Sequence, residues 1–507
     1  MSLRELPQRP NLEHLKKQAR LLLRGALQAE PAAIDRFREV QVPWPTAAPK
    51  LADAQHVIAR EYGFDNWANL KAHVGALSDD PMEALTAAIK ANDALLLRQV
   101  LERYPLLKSK LDEPLPNYSF DTPALIAAVQ KDNREMIDAL LDSGANIHTR
   151  TKWWAGGFGV LDMSSAELTP YLIERGAYVD IHAAARLGMF ARVKSLVEAD
   201  AALVHARGGD GQTPLHFAAT IEIAEYLLDH GADIDARDVD HESTAAQYMA
   251  ALWPRRPEVA RYLISRGAQT DILMAASVGD LELVRQHLDD DPDSVRINVS
   301  ERDFPKRNPE SGGCIYIFGF GWTRTAHMLA HQFGHEEVFR LLMQRSPLGL
   351  RFAMACDVCD EPLAKSMLAK HPDLVAKQPP RAFRRIIGAA VRNNTRAVAM
   401  MLGAGWPANV LGEKDQTALH WAAFHGNAEM VRDLLRHDAS LEAEEQEFKG
   451  TPLGWALYGS EHGWRRDQGD YPLTVETLLS AGAKTPRPVE ELEAPEEVLA
   501  VVRRHQA

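Results

Sequence analysis

The stretch TPLHFAATIEIAEYLLDHGADIDARDVDHES, residues 213–243, spells a helix, a second helix and a hairpin in that order. Thr213 is placed to cap the first helix through its hydroxyl, and Pro214 takes the first helical position, where a missing N–H costs nothing. Ala218 and Ala219 put little bulk on that helix, so a neighbour can approach closely. Ile223, Tyr226 and Leu227 recur at helical spacing on the second helix until Gly231, which adopts a left-handed terminal conformation without steric cost. ADIDARDVDHES then reads as an extended polar hairpin leading onward.

The same phrase returns along the chain. Two small residues, two variable ones and a turn residue appear as AASVG at 275–279, AAVRN at 389–393 and AAFHG at 422–426. The first alanines of successive copies stand at 184, 218 and 250, and again at 355, 389, 422 and 456. A period of about 33 residues marks stacked supersecondary units. With TPLHFAA at 213–219 and TALHWAAFHGNAEMVRDLLRHDASLEAEE at 417–445 as its best copies, the pattern resembles the ankyrin repeat. The resemblance runs over residues 82–486 in about eleven copies, several of them degenerate. It implies an all-α fold, an ankyrin solenoid of helix-turn-helix units whose hairpins project on one side and line a concave surface with the first helices.

Some copies end in Pro where others have Gly, as in LERYPLLKSKL at 101–111 and MLAKHPDLVAK at 367–377. Three are shortened between their helices, TPLHFAATIEIAEYLLDHGA among them. Residues 1–78 differ: NLEHLKKQARLLLRGAL and LADAQHVIAREYGF are helical, VPWPTAAP between them is a linker, and Asp65 is a plausible cap for the helix in DNWANLKAHVGAL. This region resembles a helical leader found before ankyrin arrays in bacterial proteins, where it would shield the first repeat. Residues 487–507 read as a closing helix, acidic early and basic at Arg503, Arg504 and His505, as the helix dipole prefers.

Bulk properties narrow the partners. The chain has 507 residues, 46% of them hydrophobic, and a formal net charge of −13. That charge disfavours nucleic acid and anionic membrane, and no basic patch offsets it. The longest apolar run, CIYIFGFGW at 314–322, is too short to span a bilayer, and no secretory signal is recognisable at the start. Three cysteines, Cys314, Cys356 and Cys359, exclude a disulfide framework and fit a reducing, cytoplasmic setting.

Two clusters invite a metal reading. In TAHMLAHQFGHEEV, His327, His331 and His335 fall four residues apart, but aligned on the repeat His335 begins the second helix, so the three imidazoles form no single stripe. His331 stands where most copies have alanine, a position that would require room and a hydrogen-bond partner. In CDVC, Cys356 aligns with a small repeat position and Cys359 with the turn, and no second pair completes four ligands. Neither metal nor cofactor is expected.

Binding chemistry is expected at three insertions. TKWWAGGFG, 151–159, offers Trp153, Trp154 and Phe158; SERDFPKRNPESGGCIYIFGFGWTR, 300–324, offers Tyr316, Phe318 and Trp322, its alternation also fitting a half-buried strand pair. Both lie on the hairpin side, as does the tip group Arg237, Asp238, Asp240, His241 and Glu242. GSEHGWRRDQGDYP, 459–472, separates the helices of the last full repeat and brings His462, Trp464, Arg465, Arg466, Asp467 and Asp470. With no P-loop or G-x-S-x-G elbow present, the expected function is a noncatalytic scaffold binding a protein partner along its concave face. The alternative is a small-molecule or catalytic pocket built from the aromatic insertions, with His327, His331, His462, Trp464, Arg465 and Asp470 as its polar candidates.

Overall fold

A computed structural model describes residues 4, 6, 7, 10–40, 49–77, 80–412, 414–464 and 466–506. The linker VPWPTAAP and the candidate Arg465 lie outside the described residues, the linker except for its last position. The chain divides into two compact units, Met1–Gln269 with Lys306–Ile315, and Thr270–Pro305 with Tyr316–Ala507. Among the described residues there are helices and no strands; the hairpins pair only through isolated bridges such as Arg150–Gly159 and Arg237–Thr244. None of the helices described is long and apolar enough to cross a membrane.

In the first unit, Leu12–Leu27, Pro31–Glu39, Leu51–Glu61 and Trp67–Ala76 close around Leu22, Leu23, Phe37, Ile58 and Leu70. Asn11 caps the first of these, its Oδ1 accepting from Glu13 N at 2.8 Å. The expected cap Asp65 is not the one used. Asn66 accepts from Asn69 N at 2.9 Å, and Asp65 instead pairs with Arg60 at 3.0 Å. The helix Pro31–Glu39, opened by its proline, has no counterpart in the sequence expectations.

Helix pairs follow: Pro81–Ala91 with Ala94–Arg103, Ala124–Gln130 with Arg134–Asp142, Ile181–Arg186 with Phe190–Ala199, Pro214–Phe217 with Ile221–Asp229, and Ala245–Ala251 with Pro257–Ser265. First helices pack on first helices and second on second, as Ile181–Arg186 on Pro214–Phe217 on Ala245–Ala251 shows. Alanines permit this: Ala184, Ala218, Ala246 and Ala250 are fully buried. The shortened copy ends its first helix at Phe217, and Ala219 N donates across to Ala185 O at 3.0 Å where a turn would otherwise intervene.

The second unit repeats the scheme from Ile272–Val278 to Tyr471–Ser480, and the closing helix Glu496–Gln506 packs on Tyr471–Ser480. Polar turn residues tie successive copies together. Asn427 Nδ2 donates to Asn393 Oδ1 at 2.7 Å, and His425 Nε2 donates to Val391 O at 2.9 Å.

The histidine of the T-P-L-H phrase has a defined task. His216 Nδ1 accepts from Thr213 N at 3.2 Å and from the Thr213 hydroxyl at 2.9 Å, while Nε2 donates to Ser243 O at 3.1 Å. One ring therefore closes the helix start and holds the following hairpin. His420 does the same with Thr417 and with Gly450 O.

Candidate functional site

The hairpin 150–159 is folded back on itself. Thr151 N donates to Phe158 O at 2.9 Å, and the Arg150 guanidinium donates to Gly157 O at 2.8 Å and to Asp162 Oδ2 at 3.3 Å. Trp153 packs edge-on against Phe120, centroids 4.8 Å apart. The tip of this hairpin seats on a second loop, Gly208–Gly209–Asp210–Gly211. Asp210 N donates to Gly156 O at 3.1 Å, and a Cβ on Gly156, whose φ is +136°, would stand 2.2 Å from Gly208 O. Gly209 is pressed equally closely by the Phe158 ring. The paired glycines are thus what lets two backbones meet. Beside this contact lies a cavity of about 370 Å³ bordered by Arg150, Tyr178, Asp180, His182, Arg207 and Val239.

The Gly208–Gly211 loop meets the tip of the next hairpin. Asp210, itself left-handed at φ 54°, offers its carbonyl to Val239 N at 2.8 Å and Asp240 N at 3.2 Å. Asp238 lies inside that tip and is saturated, accepting from His241 N and Ser243 N at 2.7 Å each and from the Tyr248 hydroxyl at 3.1 Å.

The same tip grips the segment 306–315. Glu242 accepts from Arg307 N and Asn308 N at 2.8 and 2.7 Å, Gly312 N donates to Asp240 Oδ1 at 3.0 Å, His241 Nδ1 donates to Gly313 O at 3.1 Å, and Ile315 N donates to Ser243 Oγ at 3.0 Å. His241 Nε2 then faces Asp240 Oδ2 at 3.5 Å and Asp210 Oδ2 at 3.7 Å. Burial pushes the Asp210 carboxyl up to about 6, His241 opposing that shift and the Asp240 and Asp238 carboxylates adding to it. The Trp153 indole stands near enough to draw it down slightly, without the geometry of a hydrogen bond.

Sequence comparison matches three stretches to known repeats: residues 121–152 to the profile described as "Ankyrin repeat", 181–274 to "Ankyrin repeats (3 copies)" and 386–435 to "Ankyrin repeats (many copies)". The chain carries ankyrin repeats. Among curated proteins it is similar to "Ankyrin repeat and SAM domain-containing protein 6", 32% identical over 124 residues in Mus musculus and 30% over 137 in Rattus norvegicus. These alignments take in 24% and 26% of this chain and 14% and 15% of those proteins. "Palmitoyltransferase Hip14" of Drosophila melanogaster is 27% identical over 124 residues, 24% of this chain and 18% of that protein. The match therefore spans less than a fifth of each of these three relatives' length, and all come from animals.

Against the ankyrin framework the expected site residues separate. Asp238 and Asp240 are buried and Glu242 is spent on backbone amides, so the tip group is a clamp and not an open contact. Trp153 and Phe158 are half-buried, while Trp154 is 41% exposed. Tyr316 is fully buried, its hydroxyl donating to Asp271 Oδ2 at 2.8 Å, whereas Phe318 and Trp322 are 57% and 42% exposed. The strand pair expected around these residues is absent: Tyr316–Gly319 is a helical turn, fixed by Tyr316 between the Phe304 and Phe320 rings.

Among the described residues, the second candidate group does not assemble into a pocket. His327 is buried and pairs through Nε2 with the Ser346 hydroxyl at 2.8 Å. His331, whose position was expected to require a partner, is exposed to solvent and requires none; His335 precedes the second helix and donates to Ser277 O at 3.2 Å. His462 ends the helix Pro452–His462, Trp464 covers Phe424 at 4.8 Å, and Asp470 caps the next helix by accepting from Leu473 N. Cys356 is buried, its thiol pushed up to about 12, and Cys359 is the left-handed turn residue.

Two features escaped the sequence. Trp253, between two helices of the first unit, is 86% exposed. Asp210 joins the tip cluster because it stands three residues before Thr213 as His241 stands three before Thr244, so the register itself carried the signal.

Proposed function

We propose that this chain is a noncatalytic ankyrin-repeat scaffold that binds a protein partner through aromatic side chains held on fastened loops. The observation that carries it is the division within the insertions 151–159 and 300–324. The loops are fastened by hydrogen bonds such as Arg150 to Gly157 O and Gly312 N to Asp240, yet Trp154, Phe318 and Trp322 keep 41%, 57% and 42% of their surface exposed, with Trp253 as a further contact. Large apolar groups on a rigid base provide contact area with little ordering cost, which is how interface anchors work. The net charge of −13 directs the proposal toward protein and away from nucleic acid or membrane. The helical leader suits a bacterial ankyrin protein, and few cysteines suit the cytoplasm.

The test is crosslinking in the source cell with a photoreactive residue at 154, 318 or 322, followed by Trp154→Ala, Phe318→Ala and Trp322→Ala in the full chain. One partner should be captured at these positions and its affinity should fall at least tenfold in the variants, with melting unchanged. Capture that survives all three substitutions defeats the proposal. The alternative, a small-molecule pocket, is favoured by the 370 Å³ cavity beside the hairpin 150–159. A metabolite thermal-shift screen on wild type and Arg150→Ala separates the two, since a bound ligand raises stability by mass action.

A further inference from the structure

Three side chains meet at the buried junction of two ankyrin hairpin tips. Asp210 comes from one tip, Asp240 and His241 from the next, and a ligand atom from each lies within 4.8 Å of the other two. The spacings are informative. His241 Nε2 stands 3.5 Å from Asp240 Oδ2 and 3.7 Å from Asp210 Oδ2. They are close to the edge of a tetrahedron whose centre is about 2.0–2.1 Å from each corner, the bond length of zinc to imidazole nitrogen or carboxylate oxygen.

Asp210 supplies a second observation. It is only 8% exposed, its Oδ1 is buried with no hydrogen-bond partner, and its Oδ2 faces the imidazole. A buried carboxylate left in this state is costly unless a positive charge compensates it. The surroundings supply an outer shell as well. Nδ1 of His241 gives its proton to Gly313 O at 3.1 Å, which turns Nε2 toward the two carboxylates, and Asp240 Oδ1 is held by Gly312 N at 3.0 Å. Metal-binding histidines are oriented by this kind of second bond. Asp238, saturated by His241 N, Ser243 N and the Tyr248 hydroxyl, is outside the ligand set. Gly312 closes the cover, since a Cβ there would come within 3.2 Å of the His241 ring and 3.4 Å of Asp240 Oδ2.

The geometry points to a site for one divalent first-row transition-metal ion, zinc foremost, held by Asp210, Asp240 and His241, with a fourth position open to water. One imidazole with two carboxylates suits zinc or its neighbours; calcium takes six to eight oxygens and magnesium an octahedron with several waters. Bound there, the ion ties two consecutive tips to the loop 306–313 and makes the base of the insertions dependent on metal.

The experiment uses the full chain, stripped with chelator and titrated with zinc against a chromophoric competitor. One equivalent should bind, with affinity at least tenfold lower in Asp210→Asn and His241→Gln and unchanged in His331→Ala and His462→Ala. Zinc should raise the melting temperature of the wild type, with no comparable rise from magnesium or calcium. Absence of stoichiometric uptake, uptake that survives both ligand substitutions, or an equal shift from calcium overturns the assignment. Should the ligand variants fail to fold, cobalt on the wild type decides: intense visible bands of four-coordination support the site, and the pale spectrum of a six-coordinate surface ion refutes it.

Discussion

His216 shows how a single residue of the repeat links packing to pH. Its two nitrogens are committed to Thr213 and Ser243 O, and burial lowers its pKa from 6.5 to about 4. The unfolded chain then takes up a proton before the folded one does. The stability associated with a neutral His216 is complete above the unfolded value of 6.5 and is lost as pH falls toward about 4. Replacing His216 with Gln should flatten the acid limb, sparing about 2 kcal/mol of the loss between about pH 7 and about pH 5, as measured by guanidinium unfolding at both pH values. Asp210 runs the other way: its pKa is raised to about 6, so its contribution is present below 3.8 and disappears as pH rises through about 6. Gly156 is the strictest backbone position nearby. Gly156→Ala combines a φ of +136° with a Cβ 2.2 Å from Gly208 O, and should cost about 2–5 kcal/mol in first-unit stability, read from hydrogen exchange of residues 150–160.

At the scale of elements, the buried pair Asp357–Arg392 holds together two repeats and the end of an insertion. Asp357 is the middle of CDVC, its side chain 1% exposed, and Arg392 reaches both it and Thr323 O, the latter at 3.4 Å. Arg392→Ala strands a buried carboxylate and should cost about 3–5 kcal/mol, read as a lower melting temperature of the second unit. Replacing Cys356 with Ala should cost far less, because its thiol only fills space. The sequence drew attention to the cysteines, since thiols announce chemistry and a lone Asp does not. What could be read directly was local: helix starts at Thr213 and Thr417, alanine faces, left-handed turns and the overall period all follow from neighbours in the chain. The clamp could not be read in this way. Its contacts join residues about 30 to 72 apart, such as His241 with Gly313, and depend on which hairpin tips fall in register. Tyr316 failed for a related reason: alternation suggested strands, but a hydrogen bond to Asp271, 45 residues away, set a helical turn.

Over the whole chain, stability is expected to behave as a sum of neighbour contacts, because each ankyrin unit buries its apolar side mainly on the adjacent copies. The closing helix Glu496–Gln506 makes this testable. It buries Val498, Val501 and Val502, packs on Tyr471–Ser480, and is fastened by Arg504 to Glu476 at 2.9 Å. Each such side chain contributes about 1.5–3 kcal/mol when moved from water to core. A chain ending at Pro495 should therefore expose the apolar face of Tyr471–Ser480, bind a hydrophobic dye and lose several kcal/mol from its last repeats. The loss should decay with distance in repeats: hydrogen exchange should accelerate most in 452–480, less in 418–436, and not at all in the leader core around Leu23 and Ile58. Uniform acceleration through both units would mean that the chain unfolds as one cooperative block, and stacking of neighbours would no longer account for its stability.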